Sequence, residues 1–102
     1  MDSAQSFARE ALAGQVGARF AVRGGRFDGT VISLAQVEVH RPSAPGYETF
    51  SLFFEGPPEA PLEQATYELE SDAFGVQAVF LVPVAPAGER RRYEAVFNRP
   101  AA

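Results

Sequence analysis

Alternation of apolar and polar residues governs most of the chain after Gly14. In residues 18–23, Phe20 and Val22 fall on one side and arginines on the other. A period of two is typical of strands with one buried face. Residues 76–84 are nearly all apolar, which predicts a strand buried on both faces. Alternation and apolar runs together predict six strands, at residues 18–23, 31–40, 47–55, 65–71, 76–84 and 91–98.

The second of these strands changes phase in its middle. Ile32 and Leu34 share one parity, whereas Val37 and Val39 share the other. One extra residue near Ala35 and Gln36 would return both pairs to the same side of the sheet. The sequence therefore predicts a β-bulge there, of the kind that curved sheets and barrels use.

The first residues of the chain have helical periodicity instead. Residues 2–13 predict a short helix, with Asp2 or Ser3 as its cap, and Gly14 is suited to end it. Its apolar stripe has helical spacing. The residues of this stripe are Ala4, Phe7, Ala8, Ala11 and Leu12.

Six short strands separated by glycine and proline turns predict an all-β fold, a small antiparallel β-barrel or sandwich with one short N-terminal helix. We expect one domain over residues 1–102, with the helix in 1–14 and the barrel or sandwich in 15–99. The alternation along the third and fifth predicted strands places Phe53, Val79 and Leu81 on the outer face of the sheet, opposite the core. We expect the helix to cover these residues, and the alternative is that Phe53 and its neighbours bind a partner.

Composition narrows the chemistry that the domain could perform. The chain has no cysteine and one histidine, which excludes thiolate metal sites and thiol catalysis. His40 with Glu38 offers two ligands where a closed metal site needs about four. The hydroxyls of Ser33, Ser43, Ser51 and Ser71 have only His40 as a base, and no nucleophile-elbow motif occurs. We therefore predict a domain that is not an enzyme and has no cofactor, no metal and no catalytic residue.

The charges are unevenly distributed along the chain. The net charge is −4, which argues against binding to nucleic acid or to an anionic membrane. Seven acids and no base lie between Glu48 and Asp72, whereas four arginines and two acids lie between Glu89 and Arg99. These groups either neutralise each other within one molecule or form two complementary surfaces. The N-terminal residues show neither a basic region nor a long apolar run, so we expect a cytoplasmic location.

Several sequence pieces recur together in a known group of domains. In order, they are Phe50 to Pro57 (FSLFFEGP), Gln64 to Leu69 (QATYEL), Val79 to Val84 (VFLVPV) and Tyr93 to Arg99 (YEAVFNR). The chain resembles a family of small bacterial domains of unknown function. The resemblance implies a β-rich fold and, for some members, an association with phage-tail-collar-like proteins. It implies no catalytic residue.

These observations favour a structural or protein-interaction module, in a phage-tail-like or other multi-protein assembly, with a protein partner or self-association. The candidate interaction surface comprises Phe53, Glu68, Glu70, Asp72, Arg90, Arg91 and Arg92. The alternative is a small-ligand-binding barrel, with Phe50, Phe54, Tyr67 and Phe80 lining a pocket. The acids Glu68, Glu70 and Asp72 lack the loop spacing of a calcium site.

Overall fold

Six antiparallel strands close into a barrel in the order β1-β2-β3-β6-β5-β4. A computed structural model describes residues 8–42, 44–86 and 88–100. The strands are β1 (Arg19–Arg23), β2 (Val31–His40), β3 (Tyr47–Gly56), β4 (Ala65–Ser71), β5 (Gly75–Val84) and β6 (Arg91–Pro100). A single helix, α1 (Arg9–Ala13), precedes them within the described part of the chain. The all-β prediction is confirmed, and the architecture is a barrel.

The predicted strands agree with the observed ones to within two residues at every end. The helix is described only from Arg9, where Ala8 precedes it without a side-chain cap. The predicted caps Asp2 and Ser3, and Phe7 of the apolar stripe, lie outside the described residues. Leu12 is fully buried and joins the core, and α1 packs against β2.

The predicted bulge in β2 is confirmed. Leu34 pairs with Phe54, and Gln36 pairs with Phe53, so the register shifts by one residue between them. Beyond the shift, Val37 lies opposite Leu52 on the inner side of β3. Ile32 and Leu34 before the shift are fully buried, and Val37 after it packs against the core, whereas Val39 near the end of the strand is 57% exposed. The bulge provides the curvature that closure of the barrel requires.

The barrel interior is filled by large apolar side chains. Phe20 meets Phe54 edge to face, with 5.3 Å between ring centroids, and stacks on Phe74 at 6.1 Å. The largest fully buried side chains come from all six strands, from α1 and from the turn after β4. They are Tyr93, Phe20, Phe50, Phe54, Phe74, Leu12, Ile32, Leu34, Leu52, Leu69, Leu81 and Val22.

The connection between β3 and β4 closes one end of the barrel. These strands are not neighbours in the barrel order, so residues 57–64 cross between them. Leu62 on this crossing is buried, and its N–H donates to the Tyr93 hydroxyl at 3.0 Å. Gly56 precedes the crossing, and a Cβ built there would lie 2.9 Å from Cγ2 of Ile32. The close packing of the barrel end therefore leaves little room for a side chain at position 56.

The phase of β5 differs from the prediction. Val79 and Leu81 face the interior and are almost wholly buried, whereas Ala78 and Phe80 face outward. The assignment of Val79 and Leu81 to an outer face that needs a helical cover is therefore wrong. The prediction that β5 is buried on both sides is also wrong, because Phe80 is 51% exposed. An uninterrupted apolar run contains no alternation from which its inner face could be read.

Candidate functional site

The outer face of β5 is apolar along its whole length. Every second residue from Val76 to Val84 faces outward, and none of these residues carries a polar side chain. We call this set the apolar stripe, and it consists of Val76, Ala78, Phe80, Val82 and Val84. Val76 is 54% exposed and Phe80 is 51% exposed. An antiparallel sheet with one solvated face normally carries polar residues there, so the stripe is the candidate binding surface.

Acidic residues border one end of the apolar stripe. The pairing of β4 with β5 places Glu70 beside Val76 and Glu68 beside Ala78. Asp72 follows in the turn that leads into β5. We call Glu68, Glu70 and Asp72 the acidic end of the stripe. Its central charge is partly compensated, because Arg23 Nε donates to Glu70 Oε1 at 2.5 Å. This hydrogen bond also raises the pKa of Arg23 above its ordinary value.

Arginines border the other end of the apolar stripe. The pairing of β5 with β6 places Arg92 beside Val84. A small dimple of about 50 Å³ lies at this end, and its lining includes Val84, Pro86 and Arg91. Arg91 is exposed and donates to the carbonyl oxygen of Pro58 at 3.1 Å. The Arg92 guanidinium turns toward β3, and Glu94 is the cross-strand neighbour of Val82, so this end of the stripe carries both signs of charge. Arg90 borders a separate depression together with Arg19 and Val31.

The remaining member of the predicted interaction surface, Phe53, lies on a different part of the barrel. The guanidinium of Arg92 covers its ring, with 4.5 Å from Cζ to the ring centroid. The same guanidinium donates to Gln36 Oε1 at 2.8 Å and approaches Glu55 Oε2 at 3.5 Å. Phe53 is therefore half-buried by an intramolecular partner. The structure brings Arg92 and Phe53 together, and it separates Phe53 from the acidic end, because β3 and β4 are not neighbours in the barrel.

Three of the seven acids between Glu48 and Asp72 form ion pairs with arginines of other strands. Glu55 pairs with Arg92 between β3 and β6, and Glu48 meets Arg99 at 2.9 Å on the same two strands. The β4 acid Glu70 meets Arg23 of β1 instead. The pairing of β3 with β6 therefore accounts for Glu48 and Glu55, and the pairing of β4 with β1 accounts for Glu70. The sequence does not show which strands are neighbours in the barrel, so it could not predict which arginine each acid contacts.

A buried hydroxyl on the outer side of β3 is a feature that the sequence analysis missed. Ser51 is fully buried, and its hydroxyl donates to Glu94 Oε2 at 2.7 Å. His40 Nε2 lies 2.9 Å from Ser51 Oγ and 3.7 Å from Glu38 Oε1. Because the Ser51 proton points to Glu94 and the residue is inaccessible, the trio lacks the arrangement of a nucleophile and its base. The network instead connects β2, β3 and β6.

A shallow groove crosses β1 on the outer side of the barrel. It has a volume of about 290 Å³, and its floor includes Ala21 and Val31. Arg23 and Glu70 form an ion pair at its wall. Arg19 belongs to this groove and also to a second depression, of about 510 Å³, that reaches Arg90. Both depressions are wide open to solvent, and the ion pair leaves the wall of the first with little net charge.

The aromatic residues predicted to line a ligand pocket do not share one. Phe50 and Phe54 are packed in the filled core, whereas Phe80 faces solvent on the other side of the wall. Tyr67 lies at the barrel rim, where its hydroxyl donates to the carbonyl oxygen of Glu63 at 2.6 Å. Burial raises the pKa of Tyr67. The predicted pocket of these four residues is therefore not formed.

Within residues 8–42, 44–86 and 88–100, no group of three or more His, Cys, Asp or Glu side chains is placed to hold a metal ion. The same part of the chain contains no helix long and apolar enough to cross a membrane.

The fold and the surface define a small closed β-barrel domain with an exposed apolar strand face. The chain matches the family model described as Domain of unknown function (DUF6916) over residues 7–97, and it therefore belongs to this family. Comparison with curated proteins and with solved structures returned no match.

Proposed function

We propose that this domain is a non-enzymatic structural or protein-interaction module that binds its partner on the apolar stripe of β5. The observation that supports this most is the exposure of Phe80, a large aromatic side chain at the middle of an otherwise apolar strand face. Exposed apolar patches bordered by polar residues are typical of protein interaction sites. Aromatic residues are also the ones that most often dominate binding energy at such sites.

The core of the barrel does not need the stripe. Val79 and Leu81 already contribute the inward side of β5 to the core, and Phe80 points away from it. A barrel with polar residues on the outer face of β5 would fold equally well, because its interior would be unchanged. The retention of five apolar residues on the solvent side is therefore better explained by a partner than by folding.

The wider setting of the module follows from the resemblance stated above. A phage-tail-like or other multi-protein assembly is the context that we propose, with the cytoplasm as its compartment. A domain of 102 residues with one apolar strand face suits such a role, because assemblies are built from repeated contacts of modest area.

Site-specific photo-crosslinking in the native host tests this proposal. A photoreactive phenylalanine analogue replaces Phe80 in one variant and Val31 in the control variant. Val31 is an exposed residue on the outer side of β2, which is not adjacent to β5 in the barrel. We expect a discrete polypeptide adduct from position 80 and none from position 31. The absence of an adduct at position 80, or equal adducts at both positions, would overturn the proposal.

A further inference from the structure

We infer that the depression between Arg19 and Arg90 is a binding site for a small phosphate monoester with an apolar body. This depression has a volume of about 510 Å³, and we call it the arginine depression. It is lined by residues of β1 and β2 and by residues that flank β3 and β6, away from the outer face of β5. The inference therefore goes beyond the proposed function and does not depend on it.

The lining of the arginine depression combines hydrogen-bond donors with apolar surface and contains no acidic side chain. The donors are Arg19, Arg90 and Ser33, and the apolar residues are Val31, Ile32 and Pro57. Arg19 and Ser33 are cross-strand neighbours on β1 and β2, so their side chains lie side by side. Because Val31 is 44% exposed, part of the apolar surface is accessible to a ligand. The lining therefore suits a molecule that has both an anionic and an apolar part.

Both guanidinium groups of the arginine depression are unused within the described part of the chain. There, the side chains of Arg19 and Arg90 form no ion pair, hydrogen bond or ring contact. Arg19 also borders the groove over β1, which contains two acids. One of them, Glu70, is held by Arg23, and the other, Asp72, forms no ion pair with Arg19. The two charges of the arginine depression are therefore available to an anion.

The carboxylate beside Ser33 in the strand register binds another arginine. Glu55 on β3 is the cross-strand neighbour of Ser33, and its Oε2 lies 3.5 Å from Arg92 Nη1. Glu89 precedes Arg90 in the chain and is exposed, but it does not belong to the lining. The remaining acids of this chain of net charge −4 are screened by salt beyond about 10 Å. The arginine depression is therefore locally positive on an acidic protein.

The three donors fit a phosphoryl group better than a carboxylate. A phosphate monoester has three terminal oxygens and carries nearly two negative charges at neutral pH. Each guanidinium can bind such a group through two parallel N–H donors, and the Ser33 hydroxyl can donate once more. The body of the ester would then cover Val31 and Pro57. A volume of about 510 Å³ is ordinary for a small-molecule site. Because the arginine depression is open to solvent, we expect a dissociation constant of roughly 1 mM.

Titration of the full nitrogen-15-labelled chain with phenyl phosphate, followed by amide chemical shifts, tests this site. We expect saturable shift changes at Arg19, Ser33 and Arg90 and none at Phe80. Inorganic phosphate should bind about tenfold more weakly, because it lacks the ring that covers the apolar lining. Phenol has the ring without the phosphoryl group and should give no saturable change over the same concentration range.

Single substitutions assign the contacts. Arg19→Gln and Arg90→Gln should each raise the dissociation constant for phenyl phosphate about tenfold, because each removes a charge-assisted contact. Ser33→Ala should raise it about threefold. Arg41→Gln is the matched control, because it removes an exposed arginine at the other end of β2 and changes the net charge equally. The control should leave the dissociation constant unchanged. The amide spectrum of each variant shows whether it is folded.

Four results would overturn the inference. The first is the absence of saturable shifts with phenyl phosphate, and the second is a set of shifts spread equally over all the arginines. The third is equal weakening by Arg41→Gln and Arg90→Gln, because net charge alone would then explain the binding. The fourth is inorganic phosphate binding as tightly as phenyl phosphate, because the apolar lining would then contribute nothing. A small ligand leaves no polypeptide adduct at Val31, so the crosslinking experiment tests the proposed function separately.

Discussion

Two outer surfaces of the barrel are built from strands of equal length but have opposite chemistry. The first is the β3–β6 wall, defined by the outward residues Thr49, Ser51, Phe53, Glu55, Arg92, Glu94, Val96 and Asn98. The second is the apolar stripe of β5. β3 and β6 pair along ten residues each, whereas β5 pairs with β6 only from Val82 to Val84.

The side chains of the β3–β6 wall find partners within the molecule. Ser51 binds Glu94, Arg92 covers Phe53, and Thr49 donates to Asn98 at 3.1 Å. Val96 is the exception and is 62% exposed. The side chains of the apolar stripe contain no polar groups, and Phe80 is half-exposed to solvent. The comparison teaches that the first surface is occupied by contacts within the molecule, whereas the second stays exposed to solvent.

The largest expected difference in stability is between two alanine variants, one of a core residue on β3 and one of the central residue of the apolar stripe. Phe54→Ala should lower the free energy of unfolding by about 3–5 kcal/mol, because it removes a fully buried ring that packs on Phe20. Phe80→Ala should change it by less than about 0.5 kcal/mol. Urea denaturation measures both values. A loss above 2 kcal/mol for Phe80→Ala would mean that the stripe belongs to the folding core.

The next effect concerns the end of β3. Gly56→Ala should cost about 1–3 kcal/mol, because the new methyl group would overlap the Ile32 side chain behind the wall. Gly88→Ala is the matched control, since a Cβ there meets nothing within 4 Å. Thermal melting of the two variants checks the difference. Equal melting temperatures would show that the barrel end can relax around an added carbon.

The sequence predicted the strands and the bulge because both are local patterns. Glycines mark the turns, and the change of parity between Leu34 and Val37 marks the extra residue. The inner face of β5 was not predictable, because Val79 and Phe80 are both apolar and only the pairing with β4 assigns their sides. Local patterns therefore fixed where the strands lie but not which face of β5 is exposed.

The site depended even more on contacts distant in sequence. Ser51 meets His40 and Glu94, which are 11 and 43 residues away. The sequence shows the acidic and arginine groups, yet the strands that they contact, β1 for Glu70 and β3 for Arg92, follow only from strand order. The outward parity of Phe53 can be read from the sequence, whereas the Arg92 guanidinium that covers its ring cannot.

A smaller effect tests the hydrogen-bond network of the β3–β6 wall. Ser51→Ala should lower the free energy of unfolding by about 1–2 kcal/mol, because it removes the hydroxyl that both Glu94 and His40 contact. Thr66→Ala provides the control, since Thr66 is an exposed residue on β4 beside Phe80. Urea denaturation should show almost no change for the control. If the two variants lost equal stability, the network would contribute no more than a surface hydroxyl.

The smallest effect concerns the guanidinium that covers Phe53. Arg92→Lys keeps the charge but removes the planar group that lies over the ring and donates to Gln36, so we expect a loss of about 0.5–1 kcal/mol. Arg90→Lys, at an exposed position before β6, should change nothing measurable. Urea denaturation at low and high salt distinguishes the causes. The Coulombic attraction to Glu55 is screened by salt and is common to both side chains, whereas the planar stacking is not. The difference between wild type and Arg92→Lys should therefore persist at high salt, and its disappearance there would assign the effect to charge.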